Sequence, residues 1–306
     1  MMPALRDLPT IRCPACAAGT VVEGPPSRVT GRVVSRCRTC RALFLTHPRT
    51  TEVAFLSSDE MSAEDYEAWV GIKREGVGED AWREATDWIK EAIGDTGAER
   101  PRLYDVGAGD GAYLRLARDE FGFKVTGNEI IEGAVTLARK LHDINLELGD
   151  IADLGHRDDF DAVTLWCVLA HVPQGDDLLR NVHAMLRPGG VVFLQTPHRT
   201  SVDAAGNRLK NASRGRWSAV PDRRLAGQGH HRILHTTASI TAQLERLGFV
   251  DVEVQPRHRY SLTSRAYLAS LNPPGWLLGP GAWLLDQAIS SRIAPQIVID
   301  VRARKA

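Results

Sequence analysis

No stretch of the sequence is apolar for long enough to cross a bilayer, which takes about 20 residues. The most apolar late segment, 275–289, is too short and is cut by Pro280 and Asp286. A signal-peptide pattern is missing as well. Met1–Thr10 contains two prolines and the pair Arg6–Asp7, where an apolar run of about 7–15 residues would be needed. A cytoplasmic protein is expected. Cysteine is scarce, five in 306 residues, and in that compartment it is a thiol or a metal ligand, not half of a disulfide. Net charge is absent too: 38 basic side chains face 38 acidic ones. Aromatics make up 6% of the chain, and the first fifty residues hold no aromatic run for stacking bases. What remains, 43% apolar and 25% charged, is an ordinary globular composition, long enough for one large domain and a small one.

Neutrality overall hides charged blocks. Residues 1–50 lack lysine but carry eight arginines against Asp7 and Glu23. Residues 51–100 reverse the sign, with fourteen acids and five bases. Residues 199–232 are basic again, seven arginines plus Lys210 against Asp203 and Asp222. Such blocks bear on partners, not on fold.

Four of the five cysteines form two CxxC pairs, Cys13/Cys16 and Cys37/Cys40, with twenty residues between the pairs. Each pair fits a tight turn, so four thiolates can converge in a closed tetrahedral site of the structural zinc type. Iron would use the same ligands. A redox role is disfavoured, because neither pair lies in a βαβ pattern. With no open ligand position the metal should support folding, not chemistry. Val21–Val22 and Val29–Ser35 are short-strand candidates of such a ribbon, closed by the apolar stretch after Cys40. Residues 59–75 and 79–93 have the pattern of acidic amphipathic helices; in the second, Trp82, Ala85, Ile89 and Ala92 recur at helical spacing and mark a core-facing stripe.

The chain is organised around Leu103–Ala117, LYDVGAGDGAYLRLA: a buried strand, a glycine turn and the start of a helix. Gly107, Gly109 and Gly111 allow a sharp bend and close approach to a ligand. The spacing Gly107-x-Gly109-x-x-Ala112 also fits the dinucleotide fingerprint, by itself a weak signal. Asp105-x-Gly107-x-Gly109-x-Gly111 resembles motif I of the class I S-adenosylmethionine (SAM) methyltransferases, and that resemblance continues in order. VTGNEI (Val125–Ile130) is similar to the family's second strand, LGDIADL (Leu148–Leu154) to its third, and FDAVTLWCVLAHVP (Phe160–Pro173) to its fourth. LRPGGVVFLQTP (Leu186–Pro197) resembles the fifth strand with its turn, and LERLGFVDVEV (Leu244–Val254) the last helix and sixth strand. The start of the chain resembles bacterial methyltransferases that carry an amino-terminal CxxC ribbon.

The resemblance implies an α/β fold: a Rossmann-like seven-stranded sheet, last strand antiparallel, with a small zinc ribbon at 1–50 and a helical linker or cap at 51–99. The methyltransferase domain would fill 100–306, with insertions at 198–236 and 257–295 leaving the sheet's carboxyl edge over one cleft. It further implies that Glu129 takes the ribose hydroxyls, two donors suited to one carboxylate. Asp150 would face the adenine amino group and Ile151 pack on the ring. Asp105 would order the amino-acid end of SAM beside the amides of Gly107, Ala108, Gly109 and Gly111, with Trp166 also at the cofactor.

Because the sulfonium is already activated, the protein has mainly to hold a nucleophile in line with the methyl group. A base is needed only where the acceptor must lose a proton. In ubiquinone-pathway O-methyltransferases, which the fourth-strand segment resembles, E-V-L-E-H-V supplies carboxylates and a histidine to a catechol-binding metal. Here the stretch is Cys167-Val-Leu-Ala170-His171-Val172, both glutamates are gone, and a magnesium-assisted mechanism is not expected. His171 remains a candidate base or orienting group, or else a structural histidine; Cys167 is most simply a small buried residue. His198, His230, His231 and His235 are further base candidates, titrating near working pH. A second zinc among them is the alternative, although their spacing matches no usual motif. The arginines of 199–232 suit an anionic acceptor, and a merely solvated loop accounts for them as well.

These readings favour a SAM-dependent methyltransferase acting on an O or C atom of a small molecule. An rRNA or tRNA base methyltransferase using the basic ribbon is the alternative, against which stand the neutral net charge and the lack of an NPPY-like motif after strand four. A non-catalytic adaptor binding SAM or a protein is the alternative of another class, and the intact turn, Glu129 and Asp150 argue against it. Segment 275–289, with Trp276 and Trp283, could rest on a membrane surface or roof a lipophilic pocket; packing on the domain is the default.

Overall fold

The computed structural model describes residues 11–27, 31–46, 79–94, 100–216, 224–225, 231–258, 263–270 and 274–306. The helix expected at 59–75 and the candidate base His230 lie outside them.

Three antiparallel strands come first, β1 (Val21–Pro26), β2 (Val33–Cys37) and β3 (Leu43–Thr46). Helix α1 (Asp80–Ile93) follows, burying Ala85 and Ile89 on the stripe its periodicity predicts. Then strands and helices alternate: β4 (Arg102–Val106), α2 (Ala112–Phe121), β5 (Lys124–Glu129), α3 (Glu132–His142) and the two-residue β6 (Glu147–Leu148). The short α4 (Ile151–Leu154), β7 (Phe160–Trp166), α5 (Gly175–Met185) and β8 (Leu186–Pro197) complete the parallel part.

After β8 come α6 (Ser201–Ala212), β9 (Ile233–Leu234), α7 (Thr237–Arg246) and β10 (Phe249–Arg257). The chain closes with α8 (Ser264–Ser270), α9 (Leu278–Ser290) and β11 (Val298–Lys305). No helix among the described residues is long and apolar enough to cross a membrane.

The large sheet has seven strands in the order β10-β11-β8-β7-β4-β5-β6. All neighbours are parallel except those of β11, which is antiparallel to both β8 and β10. This is the arrangement the resemblance implies. Helices on both faces dictate its composition: every residue of β7 from Phe160 to Leu165 is buried, as a strand covered on two sides requires. Asp161 survives there because Arg187 pairs with it at 2.5 Å. Two strand expectations shift. LGDIADL is a strand only at Leu148, because Asp150 Oδ1 accepts the amide of Ala152 at 2.9 Å and turns the next residues into a helix. The last strand starts two residues later than the expected 296.

The small sheet is not confined to the first fifty residues. Its order is β1-β2-β3-β9, so its fourth strand comes from the 198–236 connection. Ile233 joins the cluster that contains Cys13, Cys37 and Phe44, while Leu234 packs with Val34, Leu43 and Leu225. Helix α7 is tied to the same module: Thr236 Oγ1 donates to Cys40 O at 2.6 Å and Arg246 Nη2 to Ala15 O at 2.9 Å. Both long connections leave at the carboxyl ends of β8 and β10, which lie at one edge since Arg257 and Pro197 both register with Val298. In the second connection Trp276, Trp283, Leu284 and Ile293 are between 60% and 79% exposed, so packing on the domain does not hide them.

Candidate functional site

At the end of β4 the chain turns through three left-handed glycines, Gly107 (φ +65°), Gly109 (φ +61°) and Gly111 (φ +76°). At two of them space is short as well. A Cβ on Gly107 would stand 2.9 Å from Val168 Cγ2, and one on Gly111 3.2 Å from Ala138 Cβ. Gly127 on β5 is tighter still, its would-be Cβ 2.4 Å from Asp105 O. That approach lets Ala108 N donate to Asn128 O at 2.9 Å, locking the turn to the neighbouring strand.

Glu129, buried at the end of β5, braces the turn from the other side. Its Oε2 accepts Gly109 N at 3.0 Å and its Oε1 accepts Ile130 N at 2.8 Å. Asn128 Nδ2 donates to Gly149 O at 2.7 Å, fixing the loop that carries Asp150. Asp150 is exposed, and Ile151 is buried with Val106 in the main core. Asp105 sits at the base of the turn, 2% exposed, accepting Thr164 Oγ1 at 2.6 Å. Burial pushes its pKa up to about 8, with the Glu129 charge adding to the rise. Trp166 is half-buried in an aromatic cluster, its ring 5.1 Å from Tyr113, 5.0 Å from Phe193 and 6.3 Å from Trp82. The Trp82 stripe is thus core, as its periodicity implies.

A second group forms just past β7. Cys167 adopts φ +65°, a left-handed conformation costing a β-carbon roughly 1–2 kcal/mol. Its amide donates to Gln195 O at 3.0 Å. The expectation of a buried cysteine is corrected: Cys167 is half-buried, and its Sγ faces His231 Nε2 at 3.8 Å. His171 lies alongside, 4.8 Å from His231 between ring centroids. The insertion reaches this place because Arg232 N donates to Ala170 O at 2.7 Å. Val168, next to Cys167 in the chain, is the residue that lies on Gly107, so this group and the glycine turn are neighbours.

The other histidines are employed differently. His198 Nδ1 donates to Gln296 O at 2.7 Å, joining β8 to the start of β11, and burial lowers its pKa. His235 is fully buried, 3.2 Å from Ser239 Oγ, and burial alone takes its pKa down to about 3. Its inclusion among the bases is corrected: it is a neutral core histidine at the start of α7. The motifs span Gly127, Asn128 and Thr164, which shape the turn without being in it, and Cys167, whose partner is 64 positions away, without revealing what these residues do.

In the small sheet the four ribbon sulfurs lie within 4.8 Å of one another, with Cys13–Cys40 and Cys16–Cys37 both at 3.6 Å. The edge of a tetrahedral thiolate site is about 3.8 Å, so the donor set fits a closed four-sulfur metal centre. A hydrogen bond from Cys40 holds the Cys13 thiol down to about 5 and pushes Cys40 up.

Comparison with known proteins bears on the large sheet. A family model described as a methyltransferase domain matches residues 77–254. A ubiquinone biosynthesis O-methyltransferase from Pseudomonas aeruginosa is 34% identical over 123 residues, covering 37% of this chain and 50% of the relative. A dTDP-4-amino-2,3,4,6-tetradeoxy-D-glucose N,N-dimethyltransferase from Saccharopolyspora spinosa is 34% identical over 102 residues, 32% of this chain and 41% of that protein. The chain thus spans about half the length of the curated relatives it matches. A Galdieria sulphuraria structure described as a sarcosine dimethylglycine methyltransferase shares the fold at 14% identity, with a TM-score of 0.50, covering 76% of this chain and 92% of that one. With the matched model spanning the glycine turn, Glu129 and the segment after β7, the chain belongs to the methyltransferase-domain family, the class I SAM-dependent methyltransferases.

Proposed function

We propose that the protein transfers a methyl group from SAM to an O or C atom of a small-molecule acceptor. The observation that carries this reading is the contact of Val168 with Gly107, which puts the Cys167–His171–His231 group beside the turn. SAM, when bound, supplies a methyl already activated on a sulfonium. The amides of Gly107, Ala108, Gly109 and Gly111 would lie along it, with Glu129 on the ribose hydroxyls, Asp150 and Ile151 at the adenine, and Asp105 at the amino-acid end. Trp166 would wall that end. His171 and His231 would orient the acceptor, and one of them would take its proton when the nucleophile is a hydroxyl. His198 would steady the edge through Gln296.

The arginines around the 198–236 connection support an anionic acceptor such as a phosphate or carboxylate. The four-cysteine ribbon fits structural zinc, which would hold β9 in place. Residues 1–50 would form the ribbon with β9 as its fourth strand, 51–99 a cap, and the rest of 100–306 the methyltransferase domain. Trp276, 76% exposed, and Trp283, 62% exposed, support a peripheral contact through 275–289 with a membrane surface over a pocket roof; vesicle cosedimentation of Trp276→Ser with Trp283→Ser should show reduced binding.

Calorimetry with SAM, then turnover of a tritiated methyl donor against metabolite extracts and RNA, tests the assignment. Label in small molecules is the expected outcome. Salt-sensitive retention and labelling of RNA would replace it with the nucleic-acid reading, and failure to bind SAM would refute both.

A further inference from the structure

We propose that Cys167, His171 and His231 form a second metal site, selective for a thiophilic divalent cation such as zinc and open toward the acceptor. The inference deepens the methyltransferase reading and rests on it for what the open position faces. The three donor atoms all lie within 4.8 Å of one another. A tetrahedral zinc with one sulfur and two nitrogen ligands separates them by about 3.3–3.6 Å, which small ring rotations reach. The Sγ–Nε2 distance of 3.8 Å is already close to that value.

Orientation argues more strongly than proximity. His231 Nδ1 lies 3.2 Å from Arg224 O, and a carbonyl can only accept, so the ring proton is on Nδ1. The lone pair of Nε2 therefore points to Cys167. A histidine whose far nitrogen is anchored on a backbone carbonyl is arranged as metal-bound histidines are. The left-handed backbone at Cys167 turns its thiol into this group, a conformation that persists only where its surroundings over-determine it.

The donor chemistry selects the ion. One sulfur and two imidazoles disfavour magnesium and calcium, which take oxygen ligands, and suit zinc or a neighbouring transition ion. Cys167 and His171 stand where the ubiquinone-pathway pattern has its first glutamate and its histidine, but Ala170 leaves the second glutamate without a counterpart, and the third ligand comes instead from the inserted connection, held there by the ribbon sheet through β9. Three protein ligands leave the fourth position for an oxygen of the acceptor; with both imidazole lone pairs on the metal, the bound ion would take over from the histidine base by lowering the pKa of that hydroxyl.

The test is metal content of the full chain after loading with excess zinc and gel filtration, with SAM calorimetry on the same samples. Wild type should hold one equivalent more than Cys167→Ser and than His231→Ala, while SAM affinity stays within about twofold. Cobalt substitution gives a second readout: the wild-type minus Cys167→Ser difference spectrum should show thiolate-to-cobalt charge transfer. Should Cys167→Ser fail to fold, His171→Gln must show the same loss of one equivalent. Equal metal content in wild type and variants, or a flat difference spectrum, overturns the proposal whatever SAM does. Loss of SAM binding in wild type instead sinks the methyltransferase reading and leaves the metal count to stand.

Discussion

Asp105 is a carboxyl kept where water cannot solvate its charge, 2% exposed behind Thr164. With its pKa near 8 it is protonated in the free protein at neutral pH. A protonated carboxyl in the folded state and an ionised one in the unfolded chain fix the sign. The contribution to stability is complete below about pH 4 and is lost as pH rises toward 8. Asp105→Asn should flatten that part of the Tm profile between pH 5 and 9. The role proposed for Asp105 at the amino-acid end of SAM needs the carboxylate, so binding at pH 7 should release close to one proton. Calorimetry in buffers of different ionisation enthalpy reads this directly, and the release should vanish in Asp105→Asn. Glu129 predicts a simpler loss. Its carboxylate already accepts three backbone amides, and Glu129→Ala should weaken SAM binding roughly 10- to 100-fold, the worth of hydrogen bonds to a charged group, with far-UV circular dichroism unchanged. Gly127→Ala differs in kind: its Cβ meets a backbone oxygen that cannot move aside, so the Tm itself should fall.

Among the elements, local signals and long-range ones part company. The glycine turn, β7, β8 and the stripe of α1 are legible in the sequence because spacing and residue type settle them within a few positions. Strand β9 is not: two residues carry no periodicity, and only the exposed edge of β3, some 190 positions earlier, makes them a strand. The Cys167–His231 approach is hidden for the same reason, and so is the burial of His235 beneath α7. That burial gives the β9–α7 junction a pH limit. The folded-state pKa of His235, about 3, lies below the ordinary value near 6.5, so stability is intact above pH 6.5 and lost as pH falls toward 3. The loss is about 1.4 kcal/mol per pH unit in that window. Hydrogen exchange at 233–240 should accelerate at pH 5 relative to the sheet core, and His235→Gln should remove the acid sensitivity of that segment.

At the scale of the whole molecule, the ribbon is wired to the segment that carries His231 and not to the strands that carry the glycine turn. Its fourth strand is β9, two residues after His231, and Thr236 and Arg246 bind carbonyls of the cysteine loops. The glycine turn depends instead on β4, β5 and the loop after β6, which among the described residues make no strand pairing with the small sheet. A ribbon independent of the large sheet would melt on chelation and leave methyl transfer intact. The shared strand predicts otherwise. Cys16→Ser, which breaks the four-sulfur centre at its half-buried ligand, should leave SAM affinity within about twofold, because no residue of the turn moves. Methyl transfer should fall at least tenfold in the same protein, since freeing β9 lets His231 leave His171 and Cys167. Hydrogen exchange resolves the cause: protection should drop at 33–46 and 231–236 together while 102–129 is unchanged. Transfer at the wild-type rate with the ribbon melted would mean that the two sheets are neighbours without being coupled.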